Sequence, residues 1–267
     1  MTALLTVERL NKRFGGLHAV KDVSFTLQAG SITGVLGPNG AGKTTMFNLL
    51  TGFLPFDVGR VEFDGQSLGG LPPHKIVNRG LVRTFQLARP FLGMTVLENV
   101  EVACLAPRVR GQGRASVRAQ ALLDEVGLGE KSSQPVDVLP YGDLRRLEIA
   151  RALATRPKLL LLDEPFAGLG VTEIQPLADL ISALHRSEGL TILIIEHKLR
   201  EFMQLVQEVI AMDFGEVVAI GTPTEIVRDP RVIEAYIGKS PFEEQQLIVT
   251  GDDVGLARGQ RSGRSLR

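Results

Sequence analysis

A run of nine residues has the types and spacing needed to hold the phosphates of a nucleotide. The run fits the pattern G-x-x-x-x-G-K-[ST] and consists of Gly37, Pro38, Asn39, Gly40, Ala41, Gly42, Lys43, Thr44 and Thr45. Its glycines permit positive φ angles, which let successive backbone N–H groups turn towards one anion. We expect the Lys43 ammonium to reach the β and γ phosphates. The Thr44 hydroxyl is the expected ligand for a bridging Mg²⁺, and Thr45 is a weaker candidate.

The sequence on either side of this run supports the prediction. Residues 31–36 are β-prone and residues 46–51 can form a helix, which gives the strand, loop and helix order that the pattern requires. The N-terminus of that helix would add a partial positive charge beside the bound phosphate. The alternative is a glycine-rich turn that only starts a helix, and the full pattern in this context disfavours it.

Two adjacent carboxylates follow a run of four leucines. Residues 159–162 are Leu, and Asp163 and Glu164 come directly after them. An unbroken apolar run predicts a parallel strand buried on both faces, and a charge placed at its end is costly to bury. Asp163 can hold Mg²⁺ through its water shell, and Glu164 can orient and activate a water that attacks the γ-phosphate. The alternative is that both carboxylates cap the strand end in solvent.

Two further strands end in polar side chains. Residues 191–195 form a second apolar run, which is followed by Glu196 and His197, and the β-prone residues 81–86 end in Gln86. The carboxyl ends of parallel strands converge on the ligand crevice of an open α/β sheet. His197 is therefore predicted to contact the γ-phosphate, and Gln86 is relevant if its strand end faces the phosphate loop.

The remaining sequence indicates a sheet layer and a helical region. Residues 4–28 contain two alternating β-prone runs, which predict an antiparallel hairpin-like layer. Phe14 lies between these runs and could stack on adenine or belong to the core. From residue 95 to residue 157 the apolar spacing becomes helical. A first helix is expected to begin near Val96, a second is marked by apolar residues from Val117 to Leu128, and a third is expected to span residues 144–155. Four arginines in this region, at positions 108, 110, 114 and 118, are expected to form a solvated surface, with a binding patch as the minor alternative.

Composition limits the compartment and the partners. Thirty basic and thirty acidic residues cancel among the 267 residues, which gives no argument for a nucleic-acid partner. Cys104 is the single cysteine, which excludes an internal disulfide and fits a reducing, cytoplasmic compartment. No apolar stretch approaches the ~18 residues of a membrane span. Any membrane role is therefore expected to come through a partner, and residues 239–267 are expected to be disordered.

The phosphate loop, Gln86, residues 139–143, the carboxylate pair and His197 stand in the order and rough spacing of ATP-binding cassette (ABC) ATPases. The resemblance spans residues 4–238 and implies an α/β P-loop NTPase fold. That fold has a mixed sheet core, an antiparallel β layer and a helical subdomain at about residues 90–157. The family works as a head-to-tail dimer, with two ATP molecules held between the phosphate loop of one subunit and the signature segment of the other.

The resemblance also implies roles for individual residues. Glu164 is similar to the catalytic base and His197 to the switch histidine of the family. Mg²⁺ is implied to lie near Thr44, Gln86 and Asp163. ATP contacts outside the phosphate loop are implied for Phe14, Gln86, Tyr141 and Gly142.

Two segments depart from the family pattern. The usual signature is L-S-G-G-Q, whereas residues 139–143 read Leu-Pro-Tyr-Gly-Asp, so the serine hydroxyl is absent and Asp143 adds a negative charge. Residues 167–170 lack the aspartate often present in the dimer-contact loop. Both differences could slow hydrolysis or indicate pairing with a different ATPase.

A narrower resemblance is to the ATP-binding subunit of branched-chain amino acid importers. It rests on residues 84–86, 89–91, 94–100, 141–151 and 234–238. Such systems contain two membrane permeases, two different ATPase subunits and an external binding protein, which place the chain at the inner face of the cell membrane. Residues 163–168 are also similar to the lipopolysaccharide exporter ATPase, which is the alternative within the class.

Two other classes of function remain open on the sequence alone. A non-transport ABC ATPase in DNA maintenance or translation usually contains a long coiled-coil insertion or tandem cassettes, and the sequence shows neither heptads nor a repeat. A nucleotide-binding regulator without turnover would fit the altered signature. ATP turnover distinguishes that regulator from an ATPase.

Overall fold

The structure is a computed structural model that describes residues 3–237. Within this range the chain forms ten strands and nine α-helices. The strands are β1 (Ala3–Phe14), β2 (Leu17–Gln28), β3 (Ile32–Leu36), β4 (Val58–Phe63), β5 (Gln66–Ser67), β6 (Leu81–Arg83), β7 (Leu159–Asp163), β8 (Thr191–Ile195), β9 (Glu208–Asp213) and β10 (Glu216–Gly221). The helices are α1 (Lys43–Leu50), α2 (Pro73–Arg79), α3 (Val96–Cys104), α4 (Ala115–Glu125), α5 (Tyr141–Leu153), α6 (Val171–Glu188), α7 (Leu199–Leu205), α8 (Pro223–Ile226) and α9 (Pro230–Ile237). The predicted disorder of residues 239–267 lies outside the described residues.

The first sheet is an antiparallel layer with the strand order β2-β1-β4-β5. Strands β1 and β2 form the predicted hairpin and pair from Ala3 opposite Gln28 to Phe14 opposite Leu17. Alternate positions such as Val23, Phe25 and Leu27 are buried because successive side chains of a strand point to opposite faces. The antiparallel layer predicted from the sequence is confirmed.

The second sheet contains the strands that end at the predicted functional residues. Its order is β10-β9-β3-β8-β7-β6, and all neighbours from β9 to β6 are parallel. Every residue of β3, β7 and β8 is buried. Parallel strands that are covered on both faces have continuous apolar sequences. The prediction of three buried strands is confirmed.

The parallel sheet separates two apolar cores. Leu160 and Leu162 belong to the core shared with the helices, whereas Leu159 and Leu161 belong to the core shared with α1 and the antiparallel layer. The two-residue period of a strand divides the leucines between the two sides. Both faces of β7 are therefore fixed, which holds its carboxyl end in place.

The helical region differs from the prediction in its boundaries. Helix α4 ends at Glu125 rather than at Leu128, and it buries Ala119 and Leu123 while Val117 is 64% exposed. Helix α5 begins at Tyr141 rather than at residue 144 because Pro140 supplies an extended residue before the first turn.

The strand predicted over residues 81–86 is shorter than expected. Thr84 N–H still bonds Leu161 O, but Phe85 N–H turns to the Glu148 side chain. This places Gln86 in a loop.

The arginine-containing stretch is partly packed rather than fully solvated. Arg108 donates from Nε to the carbonyl of Arg156 at 3.2 Å, and Arg118 donates to the carbonyl of Val109 at 2.8 Å. Both side chains are half-buried, so the expectation of a solvated surface was wrong for these two residues. Guanidinium groups have five donors and satisfy carbonyls at the ends of short helices. Arg110 and Arg114 are exposed, as predicted.

None of the helices within residues 3–237 is both long enough and apolar enough to cross a membrane.

Gly34 in β3 fixes how closely α7 packs on the sheet beside the phosphate loop. A Cβ at this position would lie 2.2 Å from Cζ of Phe202, whose ring is fully buried. We predict that Gly34→Ala lowers the free energy of unfolding by ~1–3 kcal/mol because the ring must move within a packed core. The midpoint of urea unfolding measures this change.

Gly16→Ala is the matched control because a Cβ at Gly16 would meet no atom within 4 Å. We expect its effect to stay within ~0.5 kcal/mol. Adding Phe202→Leu should recover part of the loss caused by Gly34→Ala, since it removes the ring atoms that clash. Equal stability of Gly34→Ala and wild type would contradict the prediction.

Candidate nucleotide-binding site

The predicted phosphate loop connects β3 to α1 and is enclosed by backbone from other strands. Gly40 and Gly42 have φ angles of 84° and 95°, which favour glycine. A Cβ at Gly42 would lie 2.4 Å from the carbonyl oxygen of Ala19, and one at Gly37 would lie 2.2 Å from that of Met212. The loop therefore needs glycine at these positions for conformation and for close packing.

Lys43 is the buried cation of the loop. Its Nζ donates to the carbonyl of Gly37 at 2.6 Å and to that of Pro38 at 3.0 Å. Burial lowers the pKa of Lys43, and the negative charges of Glu164 and Asp163 oppose this shift. Those two carboxylates therefore act on the Lys43 ammonium electrostatically, as expected if their strand ends meet at the loop.

Asp163 at the end of β7 forms a buried ion pair. Its Oδ2 accepts a hydrogen bond from Arg83 at 2.6 Å, and both side chains are about 5% exposed or less. The same guanidinium donates to Oδ1 of Asn48 on α1 at 2.6 Å. Arg83 also lies 5.5 Å and 5.3 Å from the ring centres of Phe47 and Phe85. The ion pair joins the end of β7 to the helix that follows the phosphate loop.

Glu164, Gln86 and His197 form one hydrogen-bonded cluster. Gln86 donates from Nε2 to Oε2 of Glu164 at 2.8 Å, and Nε2 of His197 lies 3.1 Å from Oε1. Glu164 has a φ of 48°, a left-handed conformation that costs about 1–2 kcal/mol for a residue with a Cβ. Its N–H bonds the Ile195 carbonyl at 2.9 Å, which ties it to the end of β8. The structure thus brings together three residues that the sequence predicted separately.

Glu196 is a buried carboxylate to which the sequence analysis assigned no role. It is 2% exposed and accepts backbone N–H bonds from Phe166, His197 and Lys198 at 2.6, 2.7 and 3.1 Å. Burial raises the pKa of Glu196, these three bonds oppose the shift, and the charge of Glu164 adds to it. The signal in the sequence was an acidic residue at the end of a buried apolar strand.

Arg145 and Glu148 on α5 connect the helical region to the loop that contains Gln86. Arg145 is 2% exposed and donates to the carbonyls of Phe85, at 2.9 Å, and of Gln86. Glu148 accepts the Phe85 N–H at 2.7 Å. Burial raises the pKa of Glu148, while that N–H bond and the charge of Arg145 oppose the shift. Sequence analysis missed this pair because charges on an amphipathic helix usually face solvent.

Tyr141 and Gly142 lie in the first turn of α5 and contact the segment that follows the carboxylates. A Cβ at Gly168 would lie 2.8 Å from the Tyr141 ring, and one at Gly142 would lie 2.6 Å from Oε1 of Glu173. Both positions thus lie against residues 167–173, and the Arg145 guanidinium lies 5.1 Å from the centre of the Tyr141 ring. Their implied role towards a partner's nucleotide stays a prediction.

Phe14 lies at the tip of the hairpin and is 45% exposed. Lys12 Nζ is 5.6 Å from the centre of its ring. The exposure excludes the alternative in which Phe14 is a core residue. An exposed aromatic face is available for stacking.

The side chains near the strand ends have the chemistry that Mg²⁺ and a nucleoside triphosphate require. Mg²⁺ prefers oxygen ligands, and the predicted donors are the hydroxyl of Thr44, the amide oxygen of Gln86 and the carboxylate of Asp163. Thr44 is exposed, and the ion pair of Asp163 engages Oδ2 and leaves its second oxygen for another ligand. Within residues 3–237 no group of three or more His, Cys, Asp or Glu side chains could hold a metal ion alone. The hydroxyl, amide and carboxylate oxygens of Thr44, Gln86 and Asp163 are of the kind that Mg²⁺ prefers.

Comparison with family models gives two matches. The model described as ABC transporter matches residues 20–167, and the model described as branched-chain amino acid ATP-binding cassette transporter matches residues 216–240.

Two curated relatives match nearly the whole chain. The high-affinity branched-chain amino acid transport ATP-binding protein LivG of Escherichia coli (strain K12) is 42% identical over 251 residues, which covers 89% of this chain and 98% of LivG. The lipopolysaccharide export system ATP-binding protein LptB of the same organism is 37% identical over 237 residues, with the same shares covered.

A solved structure supports the same assignment. The crystal structure of an ATP-binding cassette of an ABC transporter in its ADP conformation matches with a TM-score of 0.82 at 31% identity, and covers 90% of this chain and 100% of that chain. Since the ABC transporter model spans more than half of the chain and LivG is similar over nearly its full length, this chain belongs to the ABC transporter family and has the P-loop fold of its ATP-binding cassettes.

Proposed function

We propose that this chain is the ATP-hydrolysing subunit of a membrane importer for branched-chain or related amino acids. The observation that supports hydrolysis is the cluster of Gln86, Glu164 and His197. The Glu164 carboxylate accepts a hydrogen bond from the Gln86 amide with one oxygen and faces the His197 imidazole with the other. A carboxylate held in this way can accept a proton from an attacking water. The ATPase unit is proposed to span residues 4–238, with a helical subdomain at about residues 90–157.

Residues of the phosphate loop are proposed to bind the nucleotide. Backbone N–H groups of residues 37 and 39–45 turn towards the phosphates, and Lys43 moves its ammonium from the loop carbonyls to the β and γ oxygens. Phe14 stacks on adenine from the hairpin tip. Glu164 takes a proton from the water, and His197 contacts the γ-phosphate and holds the Glu164 carboxylate.

A Mg²⁺ ion is proposed to be held by Thr44, Gln86 and Asp163, where it would neutralise charge on the β and γ phosphates. Arg83 fixes one oxygen of Asp163 and thereby orients the carboxylate. Its guanidinium also offsets the cost of burying that carboxylate.

Two cassettes are proposed to close on two ATP molecules. The first turn of α5 has backbone N–H groups without partners inside the helix, which suit a partner's phosphate. Tyr141 and Gly142 lie in this turn. Asp143 is paired with Lys131, so the negative charge that the altered signature introduces is balanced within the subunit.

The membrane partners are proposed to be two permeases. The same system is proposed to contain a second ABC ATPase, or a second copy of this chain as a homodimer, and an extracytoplasmic binding protein. The chain would then lie on the cytoplasmic face of the membrane. The segment after Gln86 presents Leu87, Phe91 and Leu92 to solvent at 63, 43 and 73% exposure. Exposed apolar side chains in a group suit a protein interface.

The amino-acid substrate class is supported by the comparisons. Within one organism, LivG is more similar to this chain than LptB is, at 42% against 37% identity. The second family match, over residues 216–240, is to branched-chain amino acid cassettes. Lipopolysaccharide export remains the alternative substrate class.

Purification of the full chain from native membranes in mild detergent tests the transport proposal. Recovery of two polytopic permeases and a second cassette ATPase would support it, and the ligand of an associated binding protein would identify the substrate. If the chain is recovered from the soluble fraction with no integral membrane protein, the transport role is contradicted. The proposed ATP hydrolysis is not affected by that result.

We predict that Glu164→Gln lowers kcat for ATP by ~10²–10⁴, since the amide cannot accept the proton of the attacking water. ATP binding should be retained because the phosphate loop is unchanged, and the ATP-bound dimer should be more stable. Steady-state turnover and size-exclusion chromatography with ATP measure these effects on the isolated complex. Glu130→Gln, at an exposed position, is the control, and wild-type turnover in Glu164→Gln would rule out Glu164 as the base.

Lys43→Ala should weaken ATP binding by at least ~10-fold, a loss of about 1.4 kcal/mol, because the buried cation of the loop is removed. Equilibrium binding of a fluorescent ATP analogue measures the change. Lys75→Ala removes an exposed lysine of α2 and should bind like wild type. Similar affinities for Lys43→Ala and Lys75→Ala would contradict the proposed phosphate contact.

A further inference from the structure

Glu196 is a buried titratable group for which the proposed mechanism has no use. It follows β8 directly and is 2% exposed. A buried carboxylate is costly unless hydrogen bonds compensate for the lost water. The Glu196 carboxylate accepts hydrogen bonds from three backbone N–H groups. These bonds therefore hold the backbone in position rather than another side chain.

The three N–H groups come from two different loops. Oε1 accepts from Phe166 at 2.6 Å, two residues after the carboxylate Glu164. Oε2 accepts from His197 at 2.7 Å and from Lys198 at 3.1 Å, in the loop after β8. One carboxylate therefore bridges the loop of the predicted base to the loop of the predicted switch histidine.

One end of this bridge is fixed and the other is not. The Phe166 ring is fully buried in the core, which holds the backbone of residue 166. His197 has a side chain that is 40% exposed, and its imidazole lies 3.1 Å from Oε1 of Glu164. An exposed side chain has little packing of its own, so its position depends on its backbone.

We propose that Glu196 is a positioning residue for ATP hydrolysis. It ties the backbone of His197 to the core at Phe166 and so holds the imidazole within hydrogen-bond distance of Glu164. The inference rests on the proposed ATPase function. An amide cannot replace the carboxylate, because both oxygens accept N–H groups here and one side of an amide only donates.

A double-mutant cycle on kcat tests this route. The variants are Glu196→Gln, His197→Ala and the double variant, each studied as the full chain in the complex isolated with its partners. Misplacement of a catalytic group by about 1 Å can cost ~10²-fold, and we expect Glu196→Gln to lower kcat by ~10–100-fold. The KM for ATP should stay within about twofold because the phosphate loop is unchanged. The double variant should match His197→Ala within about twofold, since Glu196 acts through His197.

Amide hydrogen exchange gives a readout that does not depend on turnover. Loss of the bridge should speed exchange of the amides of Phe166, His197 and Lys198 by at least ~10-fold in Glu196→Gln. Glu188→Gln, at an exposed position on α6, is the control and should leave exchange and kcat unchanged.

Three results would overturn the proposal: wild-type kcat in Glu196→Gln, losses that multiply in the double variant, or unchanged exchange at the three amides. A wild-type complex that does not hydrolyse ATP would contradict the proposed function instead. In that case the exchange measurement still decides whether Glu196 fixes the backbone of His197.

Discussion

The site depends on one constraint. Polar side chains at the ends of buried parallel strands need hydrogen-bond or ion-pair partners close to the strand ends. Strands β7 and β8 pair in register up to Asp163 opposite Ile195, so the residues that follow them emerge side by side. Asp163 and Glu196 are buried there, and an unpaired buried charge would be costly. Asp163 is paired with Arg83, Glu164 with Gln86 and His197, and Glu196 with backbone N–H groups. These contacts bring the predicted base and the predicted switch histidine together.

The same constraint links the helical region to this cluster. Arg145 and Glu148 are on α5, yet they hold the backbone of the loop at Phe85 and Gln86. Gln86 in turn contacts Glu164. A movement of α5 must therefore either carry the Gln86 loop with it or break buried hydrogen bonds. Coupling between sites travels through contiguous contacts of this kind, and ATP drives a shift between two states only if it binds one of them better.

The sequence predicted elements whose patterns are local and missed interactions that depend on distant partners. The phosphate loop and the buried runs that precede Asp163 and His197 were visible because residue type and spacing alone define them. The end of β6 was placed too late because Phe85 N–H leaves the sheet for Glu148, which is distant in sequence. Arg83 was overlooked for a similar reason, since only the fold shows that a charge in a short strand meets Asp163. Burial of Arg145 could not be read from a helix that is otherwise amphipathic.

The altered signature is easier to understand in the fold than in the sequence. Asp143 replaces a neutral residue of the usual pattern, but Lys131 pairs with it, so the start of α5 gains little net charge. A Cβ at Gly142 would lie 2.6 Å from Oε1 of Glu173, so that carboxylate would have to shift, and its Oε2 accepts the Gly170 N–H. The first turn of α5 is thereby packed against the segment after Glu164. Although the serine hydroxyl of the usual pattern is absent, the first residues of α5 still have backbone N–H groups without acceptors inside the helix.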